Sequence, residues 1–348
     1  MKNLFIPILL LTMILISCEK ESTNIYISDH LFLRSNKADM PIFVEGNYAS
    51  KDFVIVLHGG PGDDILVFKE LFGPFTDKLE ENYVMVYWQQ RCAGSSQGNV
   101  DSENIQLSDY VTDMEKLIIL LKHQYGNDIN VYLMGHSWGG ALGSMFLLKD
   151  NNQMNIKGWI EICGNHDFPL TFQLEQEKII ATGKNQIAIG NNTETWNNLI
   201  EKANNCDLNT IEGKLAIYVL TDEAYKLMVS VDSVIINDFT TKETLDGIFF
   251  HPYNPFSNIV NMFAGAAVNK DYMDLSLNND LHKIKIPSLF LYSEYDFTVP
   301  SKLGHEAFEQ ISTNKKEFII LYHSEHWPMR TEPDKCSNAI ISFIEKYK

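Results

Sequence analysis

The sequence predicts an α/β fold: a mostly parallel central sheet flanked by helices, with an inserted, mainly helical cap. Three observations carry that expectation. Short apolar runs rich in β-branched residues alternate with segments of helical period. Several of these runs stop abruptly at glycine-rich loops. The alternation breaks off over residues 165–265, which hold no clear buried strand, and then resumes.

Residues 25–33 alternate loosely between apolar and polar positions, as a half-buried strand does. Residues 40–44 read as its hairpin partner, with the turn near 34–37. Residues 53–57 form a short apolar run that ends in His58-Gly59-Gly60-Pro61-Gly62, a buried strand entering a tight loop. Residues 83–88 are a second such strand. From 107 to 125 the period changes: Leu107, Val111, Met114, Leu117, Ile118 and Leu121 share one helical face, and Gly126 stops the helix. A strand at 129–134, the sequence Gly135-His136-Ser137-Trp138-Gly139-Gly140, an apolar helix at 141–148 and a strand at 156–163 follow. After the cap come a strand at 288–293, a helix at 301–311, a strand at 318–322 and a helix at 333–347. Residues 25–164 and 266–348 are thus expected to build one core.

The first residues read differently. Met1-Lys2-Asn3 is a positive start, and residues 4–16 are almost wholly apolar, too short to span a bilayer comfortably. Residues 1–17 are expected to be a signal peptide. Leu15-Ile16-Ser17-Cys18 resembles the bacterial lipobox, in which the cysteine becomes the first mature residue and carries the lipid. Residues 18–24 then form a polar tether, and the chain is expected to be an exported lipoprotein, held on a membrane on its periplasmic or cell-surface side. A formal net charge of −17, with both signs interspersed, argues against nucleic acid as a partner. Cys92, Cys163, Cys206 and Cys336 are too widely spaced for a disulfide framework or a zinc pattern, so buried free thiols are expected for most.

The chemistry concentrates at strand ends. Gly135-x-Ser137-x-Gly139 lies between a strand and a helix, the setting of a nucleophile elbow, where a sharp turn lifts the serine hydroxyl above the sheet. A serine needs a histidine to take its proton and a carboxylate to orient that histidine. Strand 288–293 is followed by Glu294 and Asp296, and strand 318–322 by His323 and His326. Asp296 is preferred because it sits deeper in its loop, and His326 because His323 abuts its strand. The backbone N–H groups of Gly60 and Trp138 are the expected oxyanion donors. The His-x-x-His spacing has no third ligand nearby, so no metal site is expected. No cofactor is implied.

His58-Gly59-Gly60-Pro61-Gly62, then Trp88-Gln89-Gln90-Arg91-Cys92-Ala93-Gly94, then Gly135-His136-Ser137-Trp138-Gly139-Gly140 resemble the proline iminopeptidase (prolyl aminopeptidase)-like branch of the α/β-hydrolases. The likeness runs from about residue 25 to the C-terminus and is weakest through the cap. It implies an α/β-hydrolase fold, Ser137, Asp296 and His326 as the triad, and an acyl-enzyme mechanism that removes an N-terminal residue from short peptides. Gln90 and Arg91 match the second motif, usually Asp-Gln-Arg-Gly. Gln89 and Cys92 depart from it, so the charge balance beneath the site differs, or Gln89 makes neutral hydrogen bonds in place of a salt link. The branch binds the substrate's free amine with cap glutamates, one of them in an Ile-Glu-Asn-His-Tyr-like stretch. The nearest stretch here, residues 248–253, has no carboxylate. Nothing singles out one of the cap residues Glu175, Glu177, Glu194, Glu201 and Glu223, each read as a solvated helix-face charge. Phe249, Phe250, Tyr253 and Phe256 read as cap-to-core packing or the lining of a pocket. Other readings are an esterase or amidase on a small molecule and, from another class, a non-catalytic surface binding lipoprotein on the same fold.

Overall fold

The computed structural model describes residues 25–98, 100, 105–229 and 272–348. The expected signal peptide, Cys18 and the expected tether, the 248–253 stretch and the aromatic residues of 249–256 lie outside the described residues. No described helix is long and apolar enough to cross a membrane.

Among the described residues the core is a nine-stranded sheet. A long hairpin opens it: β1 (Tyr26–Ser35) and β2 (Ala38–Asn47) pair antiparallel, turning tightly at Asn36 and Lys37, both with positive φ. The remaining strands are β3 (Asp52–Leu57), β4 (Val84–Trp88), the short β5 (Gln97–Gly98), β6 (Asn130–His136), β7 (Gly158–Ile162), β8 (Ser288–Ser293) and β9 (Lys316–Leu321). Their order across the sheet is β1-β2-β4-β3-β6-β7-β8-β9, with β5 on β2. From β4 to β9 every neighbouring pair is parallel.

Parallel strands covered on both faces must be apolar on both, and these are. Phe53, Ile55 and Leu57 of β3 enter one core while Val54 and Val56 enter the other. The first core is closed by α3 (Leu107–Tyr125) and α4 (Trp138–Leu148), through Met114, Leu117, Leu121 and Leu142. The second is closed by α1 (Ile65–Leu71), α2 (Gly73–Glu80) and α10 (Pro333–Tyr347), through Phe68, Phe75, Leu79, Ile340 and Phe343. Burying one such side chain is worth about 1.5–3 kcal/mol. Helix α8 (Ser301–Gln310) and the short α9 (Pro328–Thr331) complete the core.

Helices α1 and α2 fill the span between the glycine-rich loop and the strand at 83, where the sequence pattern predicts no element. Their signal was Asp64, whose side chain caps α1 by accepting from Leu66 N at 2.8 Å and Val67 N at 3.4 Å. After β7 come α5 (Phe168–Ala188), α6 (Thr193–Asn204) and α7 (Ile211–Val229). Asp167 caps α5 by accepting from Leu170 N at 2.9 Å. Lys178 on α5 ties this layer to the sheet by donating to the Glu294 carbonyl at 2.6 Å.

Candidate active site

Ser137, Asp296 and His326 follow the carboxyl ends of β6, β8 and β9, on the edge where parallel sheets gather their reactive groups. Ser137 has φ 55° and ψ −119°, outside the regions that side-chain-bearing residues favour, a strain of about 1–3 kcal/mol. The turn holds it because its neighbours leave no room for relaxation. A Cβ on Gly139 would lie 2.0 Å from the Leu57 carbonyl oxygen, and one on Gly135 would lie 2.4 Å from the Gly139 carbonyl oxygen. Asn165, where the chain leaves β7, donates its N–H to the Ser137 carbonyl at 3.0 Å.

His326 Nδ1 donates to Asp296 Oδ2 at 2.8 Å. The other carboxylate oxygen accepts the N–H groups of Thr298 at 2.9 Å and Val299 at 2.8 Å. Asp296 is fully buried, which by itself raises a carboxyl pKa. The His326 charge and hydrogen bond and the Val299 N–H outweigh that and hold it below the ordinary range. For His326, burial pushes the imidazole down, but Asp296 prevails and raises it above the ordinary 6.5. With Nδ1 committed to Asp296, Nε2 is the nitrogen left for a proton from a nucleophile. The alternatives fall elsewhere: Glu294 meets Lys178 through its carbonyl, and His323 is exposed, its N–H donating to Glu332 Oε2 at 2.9 Å.

The loop bearing His326 is clamped. His136 Nε2 donates to the His326 carbonyl at 2.8 Å, and its ring lies 4.4 Å from that of Trp327, which stacks in turn on Phe72. Burial holds His136 and His58 neutral, at about 3 and about 4. His58 Nδ1 donates to the Gly59 carbonyl at 2.9 Å, while its Nε2 accepts the Gln90 N–H at 3.4 Å. Gln90 also donates to the His58 carbonyl at 3.3 Å and accepts from the Trp138 indole at 3.1 Å. One side chain therefore joins the two loops expected to supply the oxyanion donors. Trp138 opens α4, so no carbonyl of its own helix is placed to take its N–H. Gly60 has φ 106°, where a Cβ would meet Gly62 N at 2.5 Å. Pro61 and Gly62 follow it in the same turn.

Beneath this, Arg91 makes a two-pronged ion pair with Asp113 of α3, at 2.6 and 2.8 Å, both side chains buried. Gln89 donates to the Asp63 carbonyl at 3.2 Å and accepts the Ile65 N–H at 3.1 Å, so it makes neutral hydrogen bonds. Cys92, Cys163 and Cys336 are buried free thiols and Cys206 is partly exposed. Cys163, Asp296 and His326 have donor atoms within 4.8 Å of one another, a set able to hold a metal ion, although Asp296 and His326 already engage each other.

A cavity of about 450 Å³ is lined by Ser137, Gly60 and Trp138 on the sheet side and by Phe168, Phe172 and Glu175 of α5 on the other. Glu175 corrects the sequence reading. It is not a solvated helix-face charge: it is 1% exposed, and its Oε2 has no hydrogen-bond partner among the described residues. Burial, reinforced by the negative charge of Asp296, pushes its carboxyl well above the ordinary range. The signal was in the spacing, since Glu175 falls on the same helical face as Phe168, Phe172 and Ile179, all buried.

The family model described as the alpha/beta hydrolase fold matches residues 52–333. A proline iminopeptidase of Saccharolobus solfataricus is 26% identical over 299 residues, covering 84% of each chain. The crystal structure of a proline iminopeptidase from Mycobacterium smegmatis superposes with a TM-score of 0.65 at 14% identity, over 92% of this chain and 98% of that one. An esterase from Exiguobacterium antarcticum superposes with a TM-score of 0.57 at 15% identity, over 91% of this chain and all (100%) of the other. At these identities the two superpositions speak to the fold alone.

Proposed function

Starting from the fact that this chain is a hydrolase belonging to the α/β-hydrolase family, we propose that it is a serine aminopeptidase that removes the N-terminal residue from short peptides. Ser137 attacks the carbonyl carbon as His326 Nε2 takes its proton. Gly60 and Trp138 N–H groups hold the oxyanion. His326 returns the proton to the departing amine, and water then releases the acyl group from Ser137.

The observation that carries the peptidase reading is Glu175. Glu175 lies buried in the wall of the cavity that Ser137 lines, and its Oε2 has no hydrogen-bond partner among the described residues, which is costly unless a ligand completes it. An α-ammonium group does so. A neutral α-amine takes the Glu175 proton, or an α-ammonium drives that proton out to water, and either route leaves a carboxylate–ammonium pair inside the cavity. The surrounding Phe168, Phe172 and Leu215 suit the apolar body of an N-terminal residue.

The test compares L-prolyl p-nitroanilide with its N-acetylated form, using p-nitrophenyl acetate as a substrate that has no amine. The free amine is expected to be required, and Glu175→Gln to lower kcat/KM on L-prolyl p-nitroanilide about 10–100-fold. Its p-nitrophenyl acetate hydrolysis should stay within a few fold of wild type. Equal turnover of the acetylated substrate would move the reading to an esterase or amidase.

We further propose export as a lipoprotein anchored at Cys18, supported by the segment that precedes this residue. Cells fed labelled palmitate should incorporate it into the wild-type protein and not into Cys18→Ser. Unlabelled wild type would refute the anchor.

A further inference from the structure

We infer that a second cavity, reached from His326 rather than from Ser137, is the subsite for the leaving group and takes one with a flat aromatic body. This rests on the serine-hydrolase reading above but not on whether the scissile bond is an amide or an ester. The cavity measures about 470 Å³ and is lined by Asp296 and His326, whereas the cavity of about 450 Å³ described above contains Ser137, Gly60 and Trp138. Tyr218 and Thr298 line both, so the two spaces adjoin where Ser137 and His326 would act together.

The order of bond changes assigns them. Ser137 Oγ bonds to the carbonyl carbon, and the carbonyl oxygen turns to Gly60 and Trp138, so the acyl substituent stays on the nucleophile's side. When the tetrahedral adduct collapses, the carbon–nitrogen or carbon–oxygen bond breaks. The proton that Ser137 gave to His326 Nε2 passes to the departing atom. That atom must lie within hydrogen-bonding reach of His326, and whatever it carries extends into the space His326 borders.

The walls specify what fits there. Tyr225 of α7, Tyr295 and Phe297 on either side of Asp296, Trp327 beside His326 and the shared Tyr218 give five aromatic rings. Charged groups on the wall carry both signs, Asp222 and Glu325 against Arg330, so charge alone selects neither an acid nor a base. Ring faces and edges do select a ring, which gains by offset stacking and by leaving water.

Two matched pairs test this, each with one acyl group and leaving groups of similar basicity: L-Pro-L-Phe against L-Pro-Gly, and benzyl acetate against ethyl acetate. In whichever pair is hydrolysed, the aromatic member should show a kcat/KM about tenfold higher. Tyr225→Ala should reduce that preference by slowing only the aromatic member. Equal rates within the pair, or a preference undiminished by Tyr225→Ala, would overturn the assignment. A third arm needs no turnover. Benzyl alcohol, which carries no amine for Glu175, should quench the tryptophan fluorescence of Ser137→Ala protein saturably, and the double variant Ser137→Ala/Tyr225→Ala should not respond. Absence of saturable quenching in folded Ser137→Ala protein contradicts the subsite even if the serine reading itself fails.

Discussion

Ser137→Ala should lower kcat on L-prolyl p-nitroanilide by about 10⁶, the scale on which removing the nucleophile acts in other serine hydrolases. The loss should fall on kcat and kcat/KM together, because the missing group acts in the transition state rather than in binding. The elbow predicts that folding survives. Its strain belongs to the backbone at φ 55°, held by the close approach of Gly139 to Leu57 and of Gly135 to Gly139, and alanine asks for no more room than serine. Retention of substantial turnover by folded Ser137→Ala protein would place the nucleophile elsewhere. Circular dichroism alongside the kinetics separates that outcome from unfolding.

Asp296→Asn should cost about 10⁴ in kcat, since an amide facing Nδ1 favours the tautomer with its proton on the wrong nitrogen. The pH profile gives a second signature. His326 must be neutral to act as a base, and Asp296 raises its pKa above 6.5 against the downward push of burial. In the wild type, kcat/KM should therefore climb with pH through a midpoint above 6.5. With the carboxylate gone, only the burial effect and weaker neighbouring charges remain, so the climb should move to lower pH. A climb that stays in place, or moves upward, would mean that Asp296 does not set the charge on His326.

The parts of this site that were legible in the sequence are those tied to strand ends. Each parallel strand delivers its carboxyl end to the same edge, so residues a few positions beyond β6, β8 and β9 meet whatever lies between them. The contact of His326 with Asp296 follows from that geometry, as does the position of Ser137 across the cavity wall. What was not legible depended on position along a helix. Glu175 was read by residue type, as a charge on a cap helix, although its spacing from Phe168, Phe172 and Ile179 sets it on the buried face. Asp113 on α3 is hidden in the same way, although it is the buried partner of Arg91. A buried carboxylate among apolar positions is a sign of a partner, one supplied by a distant loop or by a ligand, neither of which period alone can name. Helices α1 and α2 escaped because they are short and their apolar residues crowd together, leaving Asp64 as the sole marker of where the first begins.

A nucleophilic Ser137 served by His326 should be trapped by covalent labelling. Folded mature protein is treated with a fluorophosphonate, digested, and the adduct located by mass spectrometry. One adduct per chain is expected, on Ser137, with labelling faster as pH rises through the His326 titration and absent from Ser137→Ala. No adduct on folded protein, or an adduct on another residue with Ser137 unmodified, would contradict it.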